Sequence, residues 1–128
     1  MLKKVSNGSR MKRILVVDDE EMLRRGIVKI LQLEGYSMFA AGDGDEGLRA
    51  ALDKNPDLII SDVHMPNMNG FMMLEELQKN TKSAKIPVIM MTGVAQKAGA
   101  WSSDMMLEYL EKPFSLDTLV QAVKRILK

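Results

Sequence analysis

The sequence predicts an α/β protein built on a doubly wound sheet of five parallel strands. Short apolar runs rich in Val and Ile alternate along the chain with longer segments whose apolar residues recur every three or four positions. Several of the short runs are apolar at every position, as expected for strands that helices cover on both faces. Because parallel strands need long right-handed crossovers, the intervening segments are predicted to be helices on the two faces of the sheet.

The five strands are predicted from the apolar runs. The first four runs are bounded by polar, Gly or Pro residues, and the fifth is short. The predicted strands cover residues 13–17, 36–41, 57–61, 86–91 and 106–110.

The first two helices have recognisable ends. The first is predicted over residues 20–34, because Gly35 can adopt the left-handed conformation that ends many helices. The second begins after Asp43, which forms a capping-box-like pair with Glu46, and it stops before Pro56. Its buried stripe is predicted to include Leu52.

The later helices are predicted from the same periodicity. One spans residues 70–79, and a weaker candidate covers residues 94–103. The last helix begins after Ser115, a residue type that caps helices, and its apolar stripe starts at Leu116. The three pairs of adjacent methionines are interpreted as adaptable core residues, with a Met-rich contact surface as the alternative.

Size and composition favour a single domain. We expect the domain to cover residues 11–128, after a flexible N-terminal extension or cloning remnant at residues 1–10. The formal net charge of +1 provides no long-range field, so neither nucleic acid nor a membrane is an expected partner. The lack of cysteine excludes disulfides and thiolate chemistry, and no apolar stretch reaches the roughly twenty residues of a membrane span. A cytoplasmic protein is expected.

Polar residues that could bind a ligand or take part in catalysis follow four of the predicted strands. Ligands of doubly wound sheets bind at the carboxyl ends of the strands, so side chains at these positions should share one crevice. Taken alone, the acidic run after the first strand would be interpreted as a helix N-terminal cluster. The residues are Asp18, Asp19 and Glu20 after strand one, Asp62 after strand three, Thr92 after strand four and Lys112 after strand five.

This combination of side chains predicts an aspartyl-phosphate site. Carboxylates gathered at one sheet edge repel one another, and Mg²⁺, or Mn²⁺ as the alternative, would neutralise Asp19 and Asp62. The Asp62 carboxylate is then a nucleophile facing a phosphoryl group. The ammonium of Lys112 and the hydroxyl of Thr92 would stabilise the phosphoryl oxygens.

Four motifs resemble the CheY-like response-regulator receiver family. They are ILVVDDE, DLIISDVHMPNMNG, IPVIMMTG and YLEKPF, in the family's order, and the resemblance covers about residues 12–128. It implies a flavodoxin-like fold with strand order 2-1-3-4-5. It also implies Mg²⁺-dependent transfer of a phosphoryl group from a histidine kinase or histidine phosphotransfer protein, followed by a conformational switch that relays the signal.

The resemblance assigns a role to each residue at the strand ends. Asp62 becomes the phosphoacceptor. Asp18 and Asp19 become the acidic metal pair, and the backbone carbonyl of His64 completes the protein's metal ligands. The side chain of His64 is interpreted as an exposed loop group.

The remaining roles concern the switch and the phosphoryl group. Thr92 becomes the switch hydroxyl, and Tyr109 becomes the aromatic residue whose rotamer reports phosphorylation. Lys112 becomes the phosphoryl-binding lysine, and its peptide bond to Pro113 is expected to be cis.

The resemblance also predicts how the signal leaves the domain. A downstream target, an output domain or a second copy would bind the face made by the fourth predicted helix, the fifth strand and the last helix. The chain departs from the family here, because the segment between Thr92 and Lys112 is about two residues shorter and Met105-Met106 replaces a Gly-Ala pair. The fourth predicted helix should therefore be short or displaced.

The residues around the predicted site argue against two other functions. A hydrolase of the haloacid dehalogenase type needs an acid two residues after its nucleophile, where this chain has His64. A flavodoxin-like cofactor-binding module needs a phosphate-binding loop after the first strand, where Asp18 and Asp19 would repel phosphate. We expect a signalling domain that is not an enzyme beyond its own phosphotransfer and dephosphorylation.

Overall fold

The computed structural model describes residues 11–93 and 107–128. Five parallel strands form one sheet in the order β2-β1-β3-β4-β5, which confirms the predicted doubly wound α/β fold. The strands are β1 (Arg13–Val17), β2 (Ser37–Ala41), β3 (Leu58–Asp62), β4 (Val88–Thr92) and β5 (Leu107–Glu111).

Helices cover both faces of the sheet. Residues of α1 and α4 form one core with one face of the sheet, and residues of α2 and α3 form a second core with the other face. Strand residues such as Leu15 and Val16 alternate between these two cores, because successive side chains of a strand point to opposite faces. The helices are α1 (Glu21–Leu33), α2 (Gly44–Lys54), α3 (Gly70–Leu77) and α4 (Leu116–Ile126), with a short 3₁₀ turn at Ser83–Lys85.

The predicted helix ends are confirmed where a side chain or glycine defines them. Asp43 accepts a hydrogen bond from the backbone of Glu46 at 2.8 Å. Ser115 caps α4 by accepting the N–H of Thr118 at 3.1 Å. Gly35 has a φ of 101°, which a residue with a Cβ rarely adopts. These ends depend on local chemistry, so the sequence predicts them well.

Several predicted bounds and burials are wrong. Strand β3 runs one residue later than predicted, and Asp57 lies just before it, where its carboxylate accepts the N–H of Arg13 at 2.8 Å. Helix α3 ends at Leu77 and is shorter than predicted. Leu52 is 50% exposed and Leu116 is 37% exposed, so neither belongs to the core.

The methionine prediction holds in part. Met73, Met90 and Met91 are buried in the cores, whereas Met72 is 46% exposed. Met105-Met106, Trp101 and the predicted helix over residues 94–103 lie outside the described residues. No helix in the described ranges is both long enough and apolar enough to cross a bilayer.

Candidate functional site

The carboxyl ends of the strands bring the predicted polar residues together. Asp18 follows β1, Asp62 and Thr92 are the last residues of β3 and β4, and Lys112 follows β5. The ammonium of Lys112 lies 3.2 Å from Asp62 Oδ1 and 3.7 Å from Asp18 Oδ2. One lysine therefore faces two carboxylates from different strands.

Three carboxylates form the acidic part of this crevice. Asp18, Asp19 and Asp62 each place an oxygen within 4.8 Å of the others. Asp18 is fully buried and Asp62 is 8% exposed, whereas Asp19 is exposed to solvent. Like charges this close repel strongly in a partly buried site. The single ammonium of Lys112 compensates only part of the negative charge of three carboxylates.

Two hydrogen bonds hold Asp18 in place, although its negative charge is poorly compensated. Its Oδ1 accepts the backbone N–H of Glu20 at 2.7 Å, and its backbone carbonyl accepts a hydrogen bond from Arg24 Nη1 at 2.7 Å. Its Oδ2 has no hydrogen-bond partner among the described residues. Burial raises the pKa of Asp18, and the neighbouring Asp62 and Asp19 raise it further, against the lowering effects of the Glu20 N–H and Lys112.

The Asp62 carboxylate is oriented through one of its two oxygens. Oδ1 accepts the N–H of Val63 at 2.9 Å and faces the Lys112 ammonium. Within the described ranges both of these contacts go to Oδ1. Gly70 permits the close approach of α3, because a Cβ there would lie 2.4 Å from the Asp62 carbonyl oxygen.

Thr92 and Tyr109 each bury an unsatisfied hydroxyl. Both hydroxyl oxygens are inaccessible to solvent and have no hydrogen-bond partner in the part of the chain that the structure describes. The Tyr109 ring packs against the core of the α2 and α3 face, and burial raises the pKa of its phenol. A buried hydroxyl without a partner costs free energy, so each of these two oxygens would gain stability from a hydrogen-bond partner.

The residues of the crevice fit a hard divalent cation. Carboxylate oxygens are the ligands that Mg²⁺ prefers. Asp18 Oδ2 has only the 3.7 Å ion pair with Lys112 and no hydrogen bond among the described residues, so a cation nearby would compensate its charge further. Asp19 is exposed, so a cation there would retain several waters, which is usual for Mg²⁺.

The other predicted features of the site lie at its rim. His64 is exposed in the loop after β3. The peptide bond between Lys112 and Pro113 is cis, as expected. The Lys112 N–H donates to the Thr92 carbonyl at 2.7 Å, which joins the ends of β4 and β5 beside the crevice.

Some residues that build the site were missed from the sequence. The backbone N–H groups of Glu20 and Val63 bind the carboxylates of Asp18 and Asp62, and residue identity does not reveal such backbone donors. Nothing in the sequence marks Arg24 as the partner of the Asp18 carbonyl. Asn69 was also missed, although an Asn directly before an apolar helical run is a typical cap. It accepts the N–H of Met72 at 2.8 Å and so positions α3 beneath Asp62.

Comparison with known proteins gives consistent matches. Residues 14–124 match the model of the response regulator receiver domain. The chain is 31% identical over 119 residues to Protein PilH of Pseudomonas aeruginosa, with coverage of 91% of this chain and 98% of PilH. It is 32% identical over 121 residues to RpaA, a DNA-binding dual master transcriptional regulator of Synechocystis, and that match covers 92% of this chain. The chain spans only 50% of the length of RpaA.

Solved structures agree with the sequence matches. The chemotaxis response regulator CheY4 of Vibrio cholerae superposes with a TM-score of 0.81 at 32% identity, with coverage of 91% of this chain and 99% of CheY4. The fold, the sequence matches and the acidic crevice at the strand ends thus agree on one protein family. The chain belongs to the response regulator receiver domain family of two-component signal transduction.

Proposed function

We propose that Asp62 is the phosphoacceptor of this receiver domain, which covers residues 11–128. The observation that carries the proposal is the position of Lys112, whose ammonium lies 3.2 Å from Asp62 Oδ1 in a crevice with two further carboxylates. A lysine placed between carboxylates suits a site that receives an anion, because it offsets the charge that the anion brings.

The proposed phosphodonor is a phosphohistidine on a sensor histidine kinase or a histidine phosphotransfer protein. Asp62 Oδ2 attacks phosphorus, and the P–N bond breaks as the P–O bond forms. The imidazole leaves with the electron pair of the P–N bond and takes up a proton from solvent. Lys112 stabilises a phosphoryl oxygen as a point charge throughout.

Asp18, Asp19, Asp62 and the backbone carbonyl of His64 would hold Mg²⁺ in this crevice. When bound, the cation neutralises negative charge on the phosphoryl oxygens and on the carboxylates. The residues of the chain then position the group: Lys112 binds one oxygen, and the hydroxyl of Thr92 donates to another.

We propose that the switch uses the two buried hydroxyls. Thr92 gains an acceptor when a phosphoryl oxygen arrives, which biases the domain towards the conformation in which Thr92 points into the crevice. Tyr109 responds because it lies on the strand next to Thr92 and its hydroxyl is already buried without a described partner. Phosphorylation is thereby converted into a change at β5.

This function needs no turnover of an external substrate. No acid lies two residues after Asp62, where His64 is exposed, so we propose only phosphotransfer to this chain and hydrolysis of its own acyl phosphate. The proposed recipient of the signal is a downstream target, an output domain or a second copy that contacts β5 and α4. We place these exchanges in the cytoplasm, where ATP-dependent kinases act.

Labelling with a small phosphodonor tests the proposal. Acetyl phosphate with Mg²⁺ should add one phosphoryl group, detected by intact-protein mass spectrometry, and Asp62→Asn should abolish the addition. Asp53→Asn is the matched control, because Asp53 is an exposed carboxylate on α2. A label that persists in Asp62→Asn and maps elsewhere would overturn the assignment.

A further inference from the structure

A basic groove lies between helix α1 and the edge of the sheet. Its volume is about 410 Å³, and its apolar lining residues are Val28 of α1 and Ala40 of β2. The polar side chains around it are Glu21, Arg24, Arg25, Lys29 and Gln32. Three cationic side chains and one carboxylate make this groove complementary to an anionic ligand.

The cations of the groove are placed in different ways. Arg24 is fixed, because its Nη1 donates to the Asp18 carbonyl at 2.7 Å. Arg25 forms an ion pair with Glu21 at 3.0 Å, but both side chains are largely exposed, so this pair is weak and readily exchanged for a better partner. Lys29 is exposed on the same helix, one turn after Arg25.

The same groove runs along a strand edge that no described strand pairs with. Strand β2 is the outermost strand on its side of the described sheet. Ser37 and Ala41 bond towards β1, through a 2.9 Å bond from the Ser37 N–H and a 3.1 Å bond to the Ala41 carbonyl. Because bonding direction alternates along a parallel strand, the backbone groups of Met38 and Ala40 point away from the sheet.

We propose that this groove binds an acidic, extended segment of a partner protein, which pairs with β2 as an added strand. Main-chain hydrogen bonds to Met38 and Ala40 would supply affinity, as in other cases of strand addition. Since alternate side chains of a strand share one face, every second residue of the segment would point towards α1. Carboxylates at those positions would contact Arg24, Arg25 and Lys29.

This proposal goes beyond phosphotransfer and does not depend on it. The groove uses the α1 side of the β2 edge, whereas the phosphoacceptor crevice lies at the strand ends. Binding is therefore measured without Mg²⁺ or a phosphodonor, so failure here leaves the role of Asp62 untouched.

The probe is an acetylated and amidated peptide in which Glu and Val alternate, titrated into ¹⁵N-labelled full-length chain. The amide signals of Met38 and Ala40 should shift and become protected from solvent exchange. Reversal of two groove charges, Arg25→Glu with Lys29→Glu, should weaken binding about tenfold, whereas Glu21→Gln should tighten it about two- to fivefold. Arg24 is left unchanged because it supports Asp18.

The matched control reverses two exposed lysines elsewhere, Lys82→Glu with Lys85→Glu, which changes the net charge equally. This control should reduce the affinity by less than twofold. Equal weakening by both double variants would mean only general charge attraction and would overturn the proposal. Peptide binding without any change at Met38 and Ala40 would also overturn it, because strand addition requires those amides. A peptide with Lys in place of Glu should not bind, and equal binding by it would refute the charge argument.

Discussion

Replacement of Asp18 by Asn should stabilise the metal-free protein. Asp18 is fully buried, its Oδ2 has no hydrogen-bond partner among the described residues, and two other carboxylates approach it within 4.8 Å. Asn keeps the size of the side chain and the oxygen that accepts the Glu20 N–H. The substitution removes a negative charge whose burial and repulsion by the other carboxylates destabilise the folded state.

The expected gain follows from the distances. At an effective dielectric constant of about 20, a carboxylate at the outer limit of 4.8 Å repels Asp18 by about 3.5 kcal/mol, and Lys112 at 3.7 Å attracts it by about 4.5 kcal/mol. Solvent screening at the exposed Asp19 reduces the net repulsion, and burial of Asp18 adds to its cost. We therefore expect the free energy of unfolding to rise by roughly 1–3 kcal/mol in Asp18→Asn.

Urea denaturation followed by circular dichroism, in EDTA at neutral pH, measures this gain. The raised pKa of Asp18 means that its contribution to stability is fullest below the ordinary value of 3.8 and is lost as the pH rises through the folded-state value. The advantage of Asn should therefore shrink as the pH falls. Saturating Mg²⁺ should stabilise the wild type more than the variant. A variant no more stable than wild type in EDTA would refute the reasoning, and Asp53→Asn serves as the control for loss of an exposed carboxylate.

Three further predictions follow from the crevice and its supports. Lys112→Met should slow labelling by acetyl phosphate at least tenfold, since the 3.2 Å contact to Asp62 is lost, and a rate within twofold of wild type would contradict its role. Thr92→Ala should still be labelled but should lose the phosphorylation-dependent NMR shifts on β5, and shifts equal to wild type would count against the switch. Gly70→Ala should lower the free energy of unfolding by about 1–3 kcal/mol because its Cβ would meet the Asp62 carbonyl. Gly26 lies inside α1 with open space where a Cβ would be, so Gly26→Ala should raise the free energy of unfolding by about 0.5–1 kcal/mol in the same denaturation assay. Equal effects of the two alanine substitutions would contradict the packing argument.

Local signals account for much of what was predicted correctly. The alternation of strands and helices along the chain follows from the spacing of apolar residues, which is a property of neighbouring residues. The caps at Asp43 and Ser115 and the left-handed Gly35 also depend on a few adjacent residues. The sequence placed Asp62, Thr92 and Lys112 at strand ends for the same reason.

Other predictions failed because tertiary packing decides them. Leu52 fits the helical period of α2, yet it is 50% exposed, because burial also depends on which neighbouring element covers that part of the helix. Strand β3 extends to Asp62 because its neighbour β4 supplies a pairing partner there, at Met91. Periodicity alone contains no information about either neighbour.

The sequence by itself determined the fold class, the alternation of elements and the residue types at the strand ends. Only the tertiary structure decided the distances that make those residues a site, such as the approach of Lys112 to both Asp18 and Asp62. It also revealed that Arg24 supports Asp18 and lines a groove beside β2. These contacts join residues far apart in the chain or depend on backbone geometry, and the packing of helices on a twisted sheet sets them.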